Sequence, residues 1–299
     1  MRRHLLPQDG ELRLLQGGAP LRSPAPRCTL SRVRVPVTCR GRSRAAGALL
    51  LLAALSPGTA TPAAADDAVS AARELLAAWH EEPPRIGRAR ALLETAAAAD
   101  AAPDILVELA RAWFLTGEFA ARSAAERAAA YERGSEAARR AVATAPGSDQ
   151  AHLWLAINLG RTAEIRGVTR ALALVKTIRD EADIVLRLNP ANADGLVLAA
   201  GLAAELPALM GGDRAKAEAL FKRALEADPR HTAGRLELAR LYLAGRRWRE
   251  AETELSRVVD EPAATDLPRW TMSDRPRARA LLNELLERGR IPTGAPQAP

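Results

Sequence analysis

The chain has 299 residues, 48% of them hydrophobic, 26% charged and only 3% aromatic, enough apolar material for one large or two small folded domains. The formal charge of +7 is unevenly placed: residues 1–65 carry ten arginines against Asp9 and Glu11, which leaves 33 basic and 34 acidic residues for the rest. That remainder lacks the positive field that phosphate backbones select, and with Cys28 and Cys39 both in the leader it has no disulfide, thiolate nucleophile or cysteine-ligated metal.

Residues 45–55 form an uncharged run, Ala-Ala-Gly-Ala-Leu-Leu-Leu-Leu-Ala-Ala-Leu, preceded by Arg40, Arg42 and Arg44 and followed by Ser56-Pro57-Gly58. The run is too short to span a bilayer. A basic flank, a short apolar centre and the small residues Ala63-Ala64-Ala65 predict a secretory signal peptide cut after Ala65, and hence a periplasmic or secreted product. A mitochondrial transit peptide is the rival reading of an arginine-rich leader, but such peptides are amphipathic and lack a dedicated apolar centre. Residues 1–36 are long for a basic flank, and Val33, Val35 and Val37 are candidate alternative starts. The domain reading is a leader over 1–65, a repeat domain over 66–290 and a tail over 291–299.

From Asp67 the chain is rich in alanine and leucine and is punctuated by prolines at 103, 146, 190, 229 and 262. Ala217, Phe221 and Ala224, followed by Asp228-Pro229, recur at one constant offset as Ala251, Leu255 and Val258, followed by Glu261-Pro262. Small residues where two helices cross, large ones beside them and a closing proline, all repeated at that offset, are the pattern of tetratricopeptide repeats. Weaker copies begin at Leu106, near residue 150, near Ala193 and in residues 67–100. Ser273-Asp274 reads as the N-cap of a final helix with Pro276 in its first turn. The predicted fold is all-α, a tetratricopeptide-repeat-like helical solenoid of about five hairpins plus a C-terminal capping helix.

Tyr131-Glu132-Arg133-Gly134, then His152-Leu153-Trp154-Leu155-Ala156 with Gly160-Arg161, then Asn189-Pro190, then Leu206-Pro207 with Gly211-Gly212-Asp213, resembles the TRAP transporter T-component (TatT) family over roughly residues 104–288. The resemblance implies a periplasmic helical-repeat protein that associates with a solute-binding protein and can form an oligomer around a central apolar channel. The chain departs from lipid-anchored members in having no cysteine after its apolar run. A tetratricopeptide scaffold in bacterial cell-envelope assembly is the alternative reading.

Enzyme signatures are missing from the sequence. His80, His152 and His231 are far apart in the chain with no metal partner at helical spacing, and no nucleophile elbow, phosphate loop or dinucleotide glycine pattern occurs. The expectation is a non-enzymatic binding protein without metal or cofactor. Gly211-Gly212-Asp213 reads as a turn with Asp213 capping the next helix rather than as an anion site. Candidate groove residues lie on first helices of hairpins: Trp154, Asn158 and Arg161 at i, i+4 and i+7, with Arg111, Phe114 and Arg240 added by repeat register. An aromatic, an amide and a cation on one face suit a peptide carboxylate or an acidic partner surface.

Overall fold

The computed structural model describes residues 62–290, and among them every regular element is helical. The apolar run at 45–55, the candidate start sites and the tail over 291–299 lie outside the described residues. Ten helices pair in sequence: α1 (Pro62–Ala77) with α2 (Arg85–Ala99), α3 (Pro103–Leu115) with α4 (Ala124–Thr144), α5 (Asp149–Arg166) with α6 (Val168–Leu188), α7 (Ala193–Glu205) with α8 (Arg214–Ala227), and α9 (Thr232–Ala244) with α10 (Trp248–Val259). A terminal run follows, α11 (Leu267–Arg269), a π-helical turn (Trp270–Asp274) and α12 (Arg275–Glu287). This is the expected all-α solenoid of five hairpins and a cap. α1 begins before the expected cleavage after Ala65.

Helices approach closely because fully buried alanines stand at the crossings: Ala89, Ala110, Ala138, Ala156, Ala200, Ala217, Ala239 and Ala251. Each leaves room for a larger neighbour, as Ala217 does for Phe221 and Ala251 for Leu255. Apolar contacts run without a break from Val69 in α1 to Ile178 in α6, and further clusters join α7 to α8 and α9, and α9 and α10 to α12. Each unit thus buries its apolar face against its neighbours.

The prolines do more than close helices. Just after Pro146, Pro190 and Pro229 stand Ser148, Asn192 and His231, and each accepts a hydrogen bond from a backbone N–H in the first turn of α5, α7 or α9. A proline ends one helix and a cap starts the next. Asp213 caps α8 by accepting from the N–H groups of Ala215 and Lys216 at 2.9 and 3.0 Å, after a left-handed turn at Gly211. The turn-and-cap reading of Gly211-Gly212-Asp213 matches this geometry.

The Ser273-Asp274 cap does not form. The terminal run starts earlier, where Asp266 accepts from the N–H of Arg269 at 3.0 Å, and Asp274 is helical within the π turn. That wider turn, closed by the Arg275 N–H on the Trp270 carbonyl, ends directly before Pro276, which donates no bond and whose ring would crowd a tighter turn. Asp274 is buried and accepts from the Thr232 hydroxyl at 2.8 Å, tying the run to the start of α9, while Trp270 Nε1 donates to the Val258 carbonyl at 2.6 Å. A second π turn, Thr116–Ala120, lengthens α3; there Gly117 lies under the Tyr131 ring, and Phe119 meets Trp79 with ring centroids 4.3 Å apart.

Candidate protein-binding face

The first helices α1, α3, α5, α7 and α9 touch one another in succession, so in this architecture they line one continuous face. On α5 Trp154, Ile157 and Arg161 are partly open and Glu164 is exposed, at steps of three and four that keep them on one stripe. On α7 Leu198 and Leu202 are also partly open, and all four apolar side chains continue the core cluster outward. An apolar strip therefore runs along the middle of the face.

Charges flank the strip. Arg161 pairs with Glu118 at 3.3 Å and with Glu164 at 2.9 Å. Burial works against its charged form, but the two carboxylates outweigh it and hold the guanidinium firmly protonated. Glu118, on the π turn, also accepts from the Tyr131 hydroxyl at 2.5 Å. Burial, with Glu118 beside it, pushes the Tyr131 phenol up, so Tyr131 remains a donor. Glu205, exposed at the end of α7, is raised by partial desolvation and then by Glu164 and Glu237, against the pull of Arg240 and Arg161. Near the other end of α7, Asp194 accepts from His231 Nε2 at 3.0 Å. Its carboxyl is exposed but crowded: desolvation by its neighbours opposes the charge, and His231, Arg269 and Arg111 outweigh it and lower its pKa in that order.

Of the six residues expected in a groove, four lie on or beside this face. Trp154 and Arg161 share the α5 stripe, Arg111 is partly open beside Glu108 at 3.7 Å, and Arg240 is exposed and pairs with Glu237 at 3.2 Å. The other two are corrected. Phe114 is a core residue, 5% exposed, with its ring 5.5 Å from that of Trp154 and 6.2 Å from that of Tyr131. Asn158 is fully buried, donating to the carbonyls of Trp154 at 2.8 Å and Ala110 at 3.3 Å. One reason covers both: a helix wedged between its hairpin partner and the preceding hairpin has only a narrow open arc, and a step of about 40° from Trp154 to Asn158 already leaves it.

Sequence reasoning missed Ile157, Leu198, Glu118 and Glu205. Ile157 was within reach, because it follows the crossing Ala156 as Arg111 follows Ala110 and Arg240 follows Ala239. Glu118 was not, since the π turn that delivers it has no local signature in the sequence.

One family model and one solved structure agree with this architecture. A tetratricopeptide-repeat family model matches residues 208–285, and a model described as Regulator of microtubule dynamics protein 1-3 matches residues 71–199. No curated protein matches the sequence. The crystal structure of TTC0263, a thermophilic tetratricopeptide protein of Thermus thermophilus, is 21% identical with a TM-score of 0.55, over 75% of this chain and 99% of that one. MamA of AMB-1 is 20% identical with a TM-score of 0.41, over 65% of this chain and 94% of that one. The chain is a tetratricopeptide-like helical-repeat protein. Among the described residues, no helix is long and apolar enough to cross a membrane.

Proposed function

We propose that the chain is an exported, non-enzymatic scaffold that binds a protein partner on the face of its first helices, and that the partner is a periplasmic solute-binding protein, as the T-component resemblance implies. The observation that carries the reading is the strip of Trp154, Ile157, Leu198 and Leu202 left partly open between Arg161, Glu205 and Arg240. An apolar centre with a charged rim is the composition of a transient protein interface, where the centre supplies affinity and the rim fixes orientation. The basic flank and apolar run of the leader support export, and the order of motifs from Tyr131 to Asp213 supports the T-component assignment.

A photo-reactive amino acid at position 157 in the native host, beside one at exposed Arg249 on α10, tests it. The expected result is a cross-link to a periplasmic solute-binding protein from position 157 alone. Capture of a wall-synthesis or outer-membrane assembly protein would replace the transport reading with an envelope one, and equal cross-linking from both positions would overturn the face itself.

A further inference from the structure

A second site, formed by α2, α3 and α4, follows from two arginines that converge on one indole. The guanidinium carbon of Arg90, from α2, lies 4.4 Å from the centre of the Trp113 ring, and that of Arg133, from α4, lies 4.9 Å from it. These three residues, with Thr116 and Glu126, line a cavity of about 310 Å³ beside the first π turn. Two like charges held at one ring repel each other, and an anion bound between them would offset that repulsion.

The described residues offset this only in part. Arg90 donates from Nη1 to the neutral hydroxyl of Thr116 at 3.3 Å, and its buried Nε has no hydrogen-bond partner. Its one ion pair among the described residues, with Glu94, is long at 3.9 Å. Among the described residues the Arg133 side chain makes no ion pair or hydrogen bond, and its ring contact is with Trp113. Glu126 keeps its charge at the cavity wall but, among the described residues, pairs with neither arginine: its carboxylate accepts from the Arg122 N–H at 2.7 Å while its own N–H donates to Ser123, the reciprocal cap that starts α4. The contrast is the cavity of about 360 Å³ between α9 and α10, where Arg235 and Arg257 both pair with Glu254, at 2.7 and 3.1 Å, and Asp260 and Glu261 also line the wall.

We propose that the Arg90, Trp113 and Arg133 cavity binds a small organic oxyanion, its carboxylate or phosphate held between the guanidiniums and its body against the indole. Arginine suits this because its planar fork matches both oxyanions and also lies over aromatic faces. The cavity is at the lower end of the size of small-molecule sites, which fits a metabolite-sized ligand rather than a polymer.

Phenyl phosphate, benzoate and neutral phenol, titrated into the purified full chain and followed by tryptophan fluorescence and calorimetry, test the proposal. Saturable binding of either anion, but not of phenol, is the expected result, and the better of the two identifies the oxyanion. Arg133→Gln should weaken that binding by about tenfold or more. This variant is the informative one, because Arg133 is exposed and its loss removes no hydrogen bond or ion pair of the fold. Arg90→Gln should do the same, with the unliganded melting temperature separating loss of binding from loss of the Thr116 bond. The proposal is overturned if neither anion binds, if phenol binds as well as the anions, or if Arg133→Gln binds with unchanged affinity.

Discussion

The side-chain amide of Asn158 occupies the space that a Cβ on Gly134 would fill: a methyl there would lie 2.3 Å from Oδ1 and 2.6 Å from Cγ. Gly134 in α4 and Asn158 in α5 therefore form one contact, in which a missing side chain lets an amide reach the Ala110 and Trp154 carbonyls. Gly134→Ala should force Asn158 out of place and cost on the order of 1–3 kcal/mol, although alanine favours a helix more than glycine does. Chemical unfolding of the two proteins measures the sign. A variant as stable as the parent would show that α4 and α5 separate cheaply.

Arg246 is the sole non-glycine residue with positive φ among the described residues, at 58°. It closes α9 with a pair of bonds, its own N–H to the Leu243 carbonyl and that of Arg247 to the Tyr242 carbonyl. The same pair recurs at Gly211 and at Gly289, where glycine takes the left-handed position. In the Gly245-Arg246 turn the glycine is one place early, so a residue with a Cβ bears the strain. Arg246→Gly should stabilise the chain by roughly 0.5–1 kcal/mol, the lost strain exceeding the extra freedom of the unfolded chain. A thermal melt reads this directly, and a lowered midpoint would mean that Arg246 makes a compensating contact.

How far the sequence discloses this molecule depends on whether a feature is local. Ala217 and Phe221 are readable because a buried small and large pair one turn apart returns in the next repeat as Ala251 and Leu255, and the helix hairpins follow from such pairs. The cap at His231 is readable in principle, lying just beyond Pro229 as Ser148 and Asn192 lie beyond their own prolines. The burial of Asn158 is not, since it depends on Gly134 in the preceding helix and on how the two helices cross. The false cap at Asp274 has the same origin: Ser-Asp before an Arg-Pro pair is a sound local start signal, and contact with Thr232 from α9 overrides it.

Acid should act on the α8–α10 junction. Glu218 accepts from Arg247 at 2.5 and 3.2 Å, from the Tyr242 hydroxyl at 3.2 Å and pairs with Lys222 at 2.7 Å. The Arg247 hydrogen bonds, with Lys222 and against a burial effect, lower its carboxyl from the usual 4.5 to about 2. A depressed carboxylate binds fewer protons folded than unfolded, so its contribution is full above about pH 4.5 and disappears as pH falls toward 2. The stability gap between the parent and Glu218→Gln should be constant near neutrality and close within that window. A gap that persists at the acid end would assign the effect of the substitution to packing rather than charge.

Helical spacing places Arg161 on the open stripe of α5, and its surroundings also tie it to the fold. Its guanidinium meets Glu118, and Glu118 in turn receives the Tyr131 hydroxyl, so one carboxylate joins the π turn of the second hairpin to α4 and α5. Arg161→Ala should therefore cost stability as well as partner affinity, since it leaves Glu118, whose side chain is 18% exposed, with only the Tyr131 hydroxyl. Glu118→Gln separates the two effects. If the pair is a structural link, the single changes will be non-additive, with a coupling energy of about 0.5–1.5 kcal/mol in the double-mutant cycle. Partner affinity should then follow Arg161 alone, because Glu118→Gln keeps an acceptor for Tyr131 and frees the guanidinium toward the open face. Additive stability effects would show the two side chains to be independent, and equal losses of affinity in both variants would make Glu118 part of the binding surface itself.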